Sequence, residues 1–205
     1  MAMVPTKGNL IIAKNTLSLS RTGYELLDKK RNILIREMMN LIDAAKALQS
    51  KIETTFKNAY SALEQANIDI GSETVQKIGY AVNVEENVEI KFRSVMGVEI
   101  PIVLLDDEPV KPDYGMKNTT SSLDEAVNSF VEVKRLTRQL AQIETSVYRL
   151  ADSIKKTQKR ANALKNIMIP RYEEETRNIQ NALDEKEREE FSRLKVIKAQ
   201  KQKAE

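Results

Sequence analysis

No cysteine, histidine or tryptophan occurs among the 205 residues. Without cysteine there is no disulfide and no thiolate metal site, and nothing points to an oxidising compartment. Without histidine the commonest general base and the commonest metal ligand are both missing. Aromatic residues make up only 5% of the chain, so few large side chains are available to fill a thick core. No apolar run approaches the ~18 residues that a membrane-crossing helix needs. The opening "MAMVPTKGNLIIAKN" lacks a basic stretch followed by a sustained apolar core, which argues against a secretory signal. These absences together predict a soluble cytoplasmic protein.

Glycine and proline are scarce too, and their positions divide the chain. Neither occurs between Tyr24 and Ile70, and Pro170 alone interrupts the run from Met116 to Glu205. Two uninterrupted arms flanking one broken middle is the simplest parse. What the chain does have is charge: 31% of residues are Asp, Glu, Lys or Arg, with 33 basic and 30 acidic side chains. A composition rich in Ala, Glu, Lys, Leu and Arg points to long helices or a coiled coil. The balance of signs argues against a polycation built for nucleic acid.

The first arm carries a heptad. The seam reads Leu10, Ala13, Leu17, Ser20, Tyr24, Leu27, Arg31, Leu34, Met38, Leu41, Ala45, Leu48, Ile52, Thr55, Ala59, Ala62 and Ala66. Only Ser20, Arg31 and Thr55 break it, which is a strong coiled-coil signal. The alanines toward Ala66 admit a close partner helix. The second arm opens on Ser122 and Glu125, a spacing that fits a capping box. Its seam runs Leu136, Leu140, Ile143, Val147, Leu150, Ile154, Thr157, Ala161, Leu164 and Met168, then Tyr172, Thr176, Ile179 and Leu183. It weakens among charges before Phe191, Leu194 and Ile197.

Around Pro170 the seam steps 3, 4, 4 in place of a strict heptad, a stutter that locally unwinds a left-handed supercoil. Pro170 removes the hydrogen bond to the Asn166 carbonyl, at a cost of about 3 kcal/mol in a helix interior. The seam resumes at once beyond it, so a kinked but continuous helix is expected. The alternative is two separate helices of a short bundle.

The middle is different. "NVEIKFR" alternates, with Val88, Ile90 and Phe92 on one face and Glu89, Lys91 and Arg93 on the other. "SVMG" supplies a turn, and "VEIPIVL" resumes the alternation with Val98, Ile100, Ile102 and Leu104. This predicts a β-hairpin over about 87–105, with Pro101 at an edge. "GSETVQKIG" fits one or two helical turns capped by Ser72, and "LDDEPVKPDYG" a turn-rich loop. Charge follows the same division. Residues 1–68 hold 10 basic and 6 acidic side chains, 69–119 hold 5 and 10, and 120–205 hold 18 and 14.

The predicted fold is therefore mainly α. A long antiparallel two-helix coiled coil pairs an N-terminal helix (1–68) with a C-terminal helix (120–205) kinked near Pro170. A middle region (69–119) carries the hairpin. Folding back would leave both termini at one end and the acidic hairpin near the other.

No catalytic constellation appears. There is no phosphate-binding Gly-rich loop, and no His or Cys to serve a nucleophile. The acidic clusters at 173–175 and 184–190 read as solvated helix faces, interleaved with Lys186, Arg188 and Arg193. No catalytic residue, cofactor or metal is expected.

The wording of three segments is distinctive: "PTKGNLIIAKNTLSLSRTGYELLDKKRNILIREMMNLI" at 5–42, "KRANALKNIMIP" at 159–170 and "EKEREEFSRLKVIK" at 185–198. In these, and in the order helix, hairpin middle, helix, the chain resembles the D subunit of V-type and archaeal A-type rotary ATPases. The resemblance implies a non-catalytic central rotor shaft. Its paired termini would enter a hexamer of A and B subunits. A small F subunit and a funnel-shaped C/d-type subunit would link it toward the membrane ring, with no transmembrane segment of its own. It would lie in the cytoplasm, peripheral to the membrane. On that basis Lys7, Lys14, Arg193, Lys195, Lys198 and Lys201 are expected inside the hexamer cavity. Val88, Ile90, Phe92, Val98 and Ile100 are expected toward the membrane-side partners. Pro170 would make the shaft eccentric. A free-standing coiled-coil scaffold or adaptor is the alternative that the heptads alone permit. A binder of nucleic acid or membrane surface would show steep salt dependence.

Overall fold

The computed structural model describes residues 4–82, 88–104, 114–115 and 119–204. Helix α1 spans Lys7–Ile70 and the short α2 spans Ser72–Gly79. Strands β1 (Ile90–Val95) and β2 (Val98–Val103) follow, then α3 (Ser121–Ala163). A single π-helical turn, Leu164–Met168, joins α3 to α4 (Ile169–Ala204). The fold is thus mainly α, with two long helical arms and a two-stranded antiparallel hairpin between them. Most of the expected turn-rich loop, 105–113, lies outside the described residues. The chain divides into two compact units: Met1–Asn32 with Lys155–Glu205, and Ile33–Ile154.

In the first unit, α1 begins where Thr6 caps it. The Thr6 side-chain oxygen accepts from the Asn9 amide at 3.2 Å, and its carbonyl accepts from Leu10. This satisfies donors that the first helical turn leaves free. The arms run antiparallel, as the cross-pairs show. Lys7 meets Glu187, Arg21 meets Glu173, and Arg31 meets Gln158. Ala13, Ala161 and Ile179 are buried in the seam between them. Ser20 also lies in that seam, its hydroxyl satisfied by the Thr16 carbonyl at 2.7 Å. Arg31 interrupts the seam with a polar layer. Its guanidinium donates to Gln158 at 2.7 Å and pairs with Asp28 at 2.6 Å. Gln158 in turn donates to Asn162.

In the second unit α1 and α3 are antiparallel as well. Ser122 donates to Asp69 at 2.5 Å, and the Tyr60 and Phe130 rings meet edge to face. Here Ser122 is not the cap the sequence suggests. Helix α3 starts one residue earlier, the Thr120 carbonyl receives the amides of Leu123 and Asp124, and the Ser122 hydroxyl is used across the pair. Ser72 likewise does not cap α2. It is the first helical residue, and Gly71 precedes it at φ 90°, a conformation that favours glycine. The alanine seam behaves as read, with Ala59 and Ala66 fully buried.

The hairpin turns in two residues. Val95 pairs with Val98, and Met96 and Gly97 both take positive φ, 51° and 76°. That is the I′-type geometry whose twist suits a two-residue loop. Val95, Val98 and Ile100 pack on Leu34, Met38, Leu41, Leu150 and Ile154, with Leu34 and Leu150 at 0% exposure. The expectation of a hairpin near the far end of the helical pair is corrected here. The Asp69–Ser122 contact marks that end, and Leu41 lies 28 residues back from it along α1, about 42 Å of helix. The apolar face of β2 decides the placement, because it needs the wide Leu-rich seam around Leu34 and Leu150. The alanine seam beyond presents too little surface.

Pro101 is tolerated by register. The Leu104 amide donates to the Glu89 carbonyl, and Phe92 faces Pro101. Alternation then turns the nitrogen of Pro101 away from β1, on the same edge as the Val103 amide. The Val103 amide donates to the Gln142 side chain at 2.9 Å, and Arg149 donates to the Glu99 carbonyl at 3.1 Å. Helix α3 thus covers the outer edge of β2.

Candidate partner-binding surfaces

The first surface lies on the unit that holds both terminal segments. Lys7 pairs with Glu187 at 3.0 Å. That hydrogen bond and the carboxylate charge hold the Lys7 ammonium above its ordinary 10.5. Lys7 stands at the start of α1, so α4 runs on for more than a dozen residues past its partner helix. Arg193, Lys195, Lys198 and Lys201 all sit on this overhang and are exposed. Arg193 lies 3.7 Å from Glu189 one turn earlier. Lys14 is exposed on α1, two turns in from Lys7.

Apolar side chains share this surface. Phe191 (70% exposed), Leu194, Val196 and Ile197 project from the overhang. Sequence reading carries the seam on to Phe191, Leu194 and Ile197, whereas here they meet no helix because α1 has already begun. On α1, Ile12, Leu19 (73% exposed) and Leu26 recur every seven residues in solvent, with Ile11 beside them. Sequence reading misses this second stripe. Its seven-residue spacing is visible along the chain, but the stronger seam next to it masks it. Beyond the Lys7–Glu187 pair α4 carries exposed apolar side chains with little to hold it, since isolated helices of this length are marginal.

The second surface is the open face of the hairpin. The register places Ile90 and Phe92 opposite Val103 and Pro101, on the face away from Val98 and Ile100. Ile90 (54% exposed), Phe92 (57%) and the neighbouring Val88 (49%) therefore stand in solvent. Ile100 is turned inward into the core, and Val98 packs against it. The Arg149 guanidinium lies over the Phe92 ring, 5.3 Å from its centroid. Arg93 pairs with Glu37 at 3.0 Å and ties β1 to α1.

Among the described residues no cluster of three or more acidic side chains is placed to hold a metal ion. No helix among them is long and apolar enough to cross a membrane. Both surfaces are suited to contact: apolar side chains in solvent, flanked by charge.

Long helical arms with a small hairpin docked on them, and exposed apolar side chains flanked by charge, define a helical-hairpin protein with surfaces suited to contact. Comparison with known proteins agrees. The sequence profile of a family described as the ATP synthase D subunit matches residues 9–199. The chain is 42% identical over 198 residues to the D subunit of the V-type ATP synthase of Thermotoga neapolitana, covering 97% of this chain and 98% of that one. It is 37% identical to the D subunit of the A-type ATP synthase of Pyrococcus abyssi, covering 95% and 92%. It is also 37% identical to that of Methanobrevibacter smithii, covering 95% and 86%. The chain belongs to the D-subunit family of ATP synthases.

Proposed function

We propose that this chain is the non-catalytic central rotor shaft of a V/A-type rotary ATPase. It would transmit torque between nucleotide turnover in an A–B hexamer and ion movement through a membrane ring. The observation that carries this reading is the overhang of α4, with its exposed Phe191, Leu194 and Ile197 among Arg193, Lys195, Lys198 and Lys201. A lone helix with that surface is best accounted for by a cavity that encloses it. An A–B hexamer, which the resemblance implies, would supply that cavity. Lys7 and Lys14, with the Ile12–Leu19–Leu26 stripe, extend the same contact along α1. Non-directional apolar contacts suit a part that must pass several orientations, because no single hydrogen-bond geometry locks it. The cations add electrostatic guidance.

The open hairpin face, Val88, Ile90 and Phe92, is the proposed seat for a membrane-side partner, either the small F subunit or the funnel-shaped C/d-type subunit. The shaft would lie on the cytoplasmic side, peripheral to the membrane.

Native mass spectrometry of the chain mixed with an A–B hexamer and the small partner, with nucleotide present, tests the reading. One copy per hexamer is expected, since a threefold sleeve has one axis. Failure to bind a competent hexamer would overturn it in favour of a free-standing scaffold. Reversing the charges of Arg193, Lys195, Lys198 and Lys201 together should weaken assembly or uncouple hydrolysis from rotation. Unchanged assembly and coupling would remove these residues from the interface.

A further inference from the structure

The join between α3 and α4 contains one residue too many. Ala161 and Ile179 are both buried against α1, with Leu164, Met168, Tyr172 and Thr176 half-buried between them. Those five steps span 18 residues, whereas steps alternating 3 and 4 from Ala161 would span 17. An α-helix turns about 100° per residue, so an unabsorbed surplus would swing Ile179 off the seam.

The surplus is absorbed locally. The Ile169 amide donates to the Leu164 carbonyl, five residues back, closing a π-type turn over Leu164–Met168. Pro170 favours it there, because it offers no amide to the Asn166 carbonyl four residues earlier. This corrects the expected stutter: the register is restored in one wide turn and not by gradual unwinding, and the helix neither breaks nor restarts.

The packing around this turn is light. None of its five residues is buried. Gly23 stands opposite, where an added Cβ would lie 3.6 Å from the Leu164 side chain. Lys165 lies over the Tyr24 ring at 5.6 Å. The nearest polar contacts between the arms are Arg31–Gln158 before the turn and, after it, Arg21–Glu173, an exposed pair too weak to resist a twist.

From this we infer that Leu164–Met168 is a torsionally soft joint, which lets the α4 end twist about its own axis against α1. The joint stands on geometry alone and does not depend on the function proposed above. Inside an α-helix, twist is resisted by an unbroken ladder of i→i−4 bonds and by interlocked seam residues. Here one rung is missing at Pro170, the hydrogen bond closing the turn spans five residues, and a glycine replaces the facing side chain.

The absence of native cysteines makes spin labelling direct. One labelled pair, Thr22→Cys with Glu174→Cys, reads across the joint. Another, Lys29→Cys with Lys159→Cys, reads before it. The distance distribution across the joint is expected to be about twofold broader than the one before it, as fits local softness within a folded protein. Deleting Asn166 together with Pro170→Ala returns the spacing to a strict heptad and should narrow the distribution to that of the reference pair. Deleting Glu144 from α3, which removes no surplus, should instead unfold the chain at a lower temperature. Should the Asn166 deletion fail to fold, the surplus-residue account fails with it. Gly23→Ala then tests softness alone, since filling the space over Leu164 should narrow the distribution. Equal widths in the unaltered background would overturn the joint, whether or not the chain enters an A–B hexamer. A broad, correctable distribution in a chain that enters no hexamer would keep the joint and overturn the shaft.

Discussion

Single residues carry the clearest local physics. Met96 sits at φ 51° in the first position of the hairpin turn, where a residue with a Cβ is disfavoured and asparagine or glycine preferred. Met96→Asn should stabilise the protein by roughly 0.5–1 kcal/mol, a fraction of the left-handed penalty for ordinary residues. Urea unfolding would show this as a higher midpoint with an unchanged slope. Tyr114 gives a pH signature. Burial first, then a 2.6 Å hydrogen bond to Asp124, push its phenol up to about 12 from 10.0. The folded state therefore holds this proton more tightly than the unfolded one. Its stabilising contribution is complete below pH 10 and is lost as pH rises from 10 toward 12. Spectrophotometric titration should show a late tyrosinate step that Tyr114→Phe removes; persistence of that step would assign it elsewhere.

Among the elements, the α3–α4 join separates two causes that the sequence runs together. Proline in a helix interior costs about 3 kcal/mol relative to alanine. Here the wide turn has already given up the bond that proline would break. Pro170→Ala should therefore gain no more than about 1 kcal/mol, well short of the usual penalty. The turn should also persist, because the surplus residue remains. Thermal unfolding measures the first expectation, and carbonyl and amide chemical shifts over 164–171 measure the second. A gain near the full penalty, with a regular α-helix restored, would show that proline alone creates the turn. Whether Pro170 would make the proposed shaft eccentric then becomes a question about this turn.

At the scale of the whole molecule, the open hairpin face gives a test that stability does not confound. Ile90→Ser with Phe92→Ser removes exposed apolar surface and leaves the Leu34–Ile100–Leu150 core intact. The unfolding midpoint should hardly move, while affinity for the proposed membrane-side partner should fall by about tenfold or more, as expected for truncating central apolar contacts. Unchanged affinity by titration calorimetry would clear the hairpin of that role. Much of the molecule is legible in the sequence by itself. Periodicity is a local property, so the Leu10–Ala66 seam, the alternation of 88–104 and the placing of Gly97 in a turn are all readable from neighbours along the chain. Tertiary structure decided what depends on distant partners. It set where the hairpin docks, because only the Leu34–Leu150 region offers enough apolar surface. It set which hairpin face stays open, because cross-strand register and not alternation within one strand pairs Ile90 and Phe92 with Val103 and Pro101. It left Phe191, Leu194 and Ile197 bare, because a seam residue is buried only if a helix lies opposite, and α1 starts at Lys7, level with Glu187.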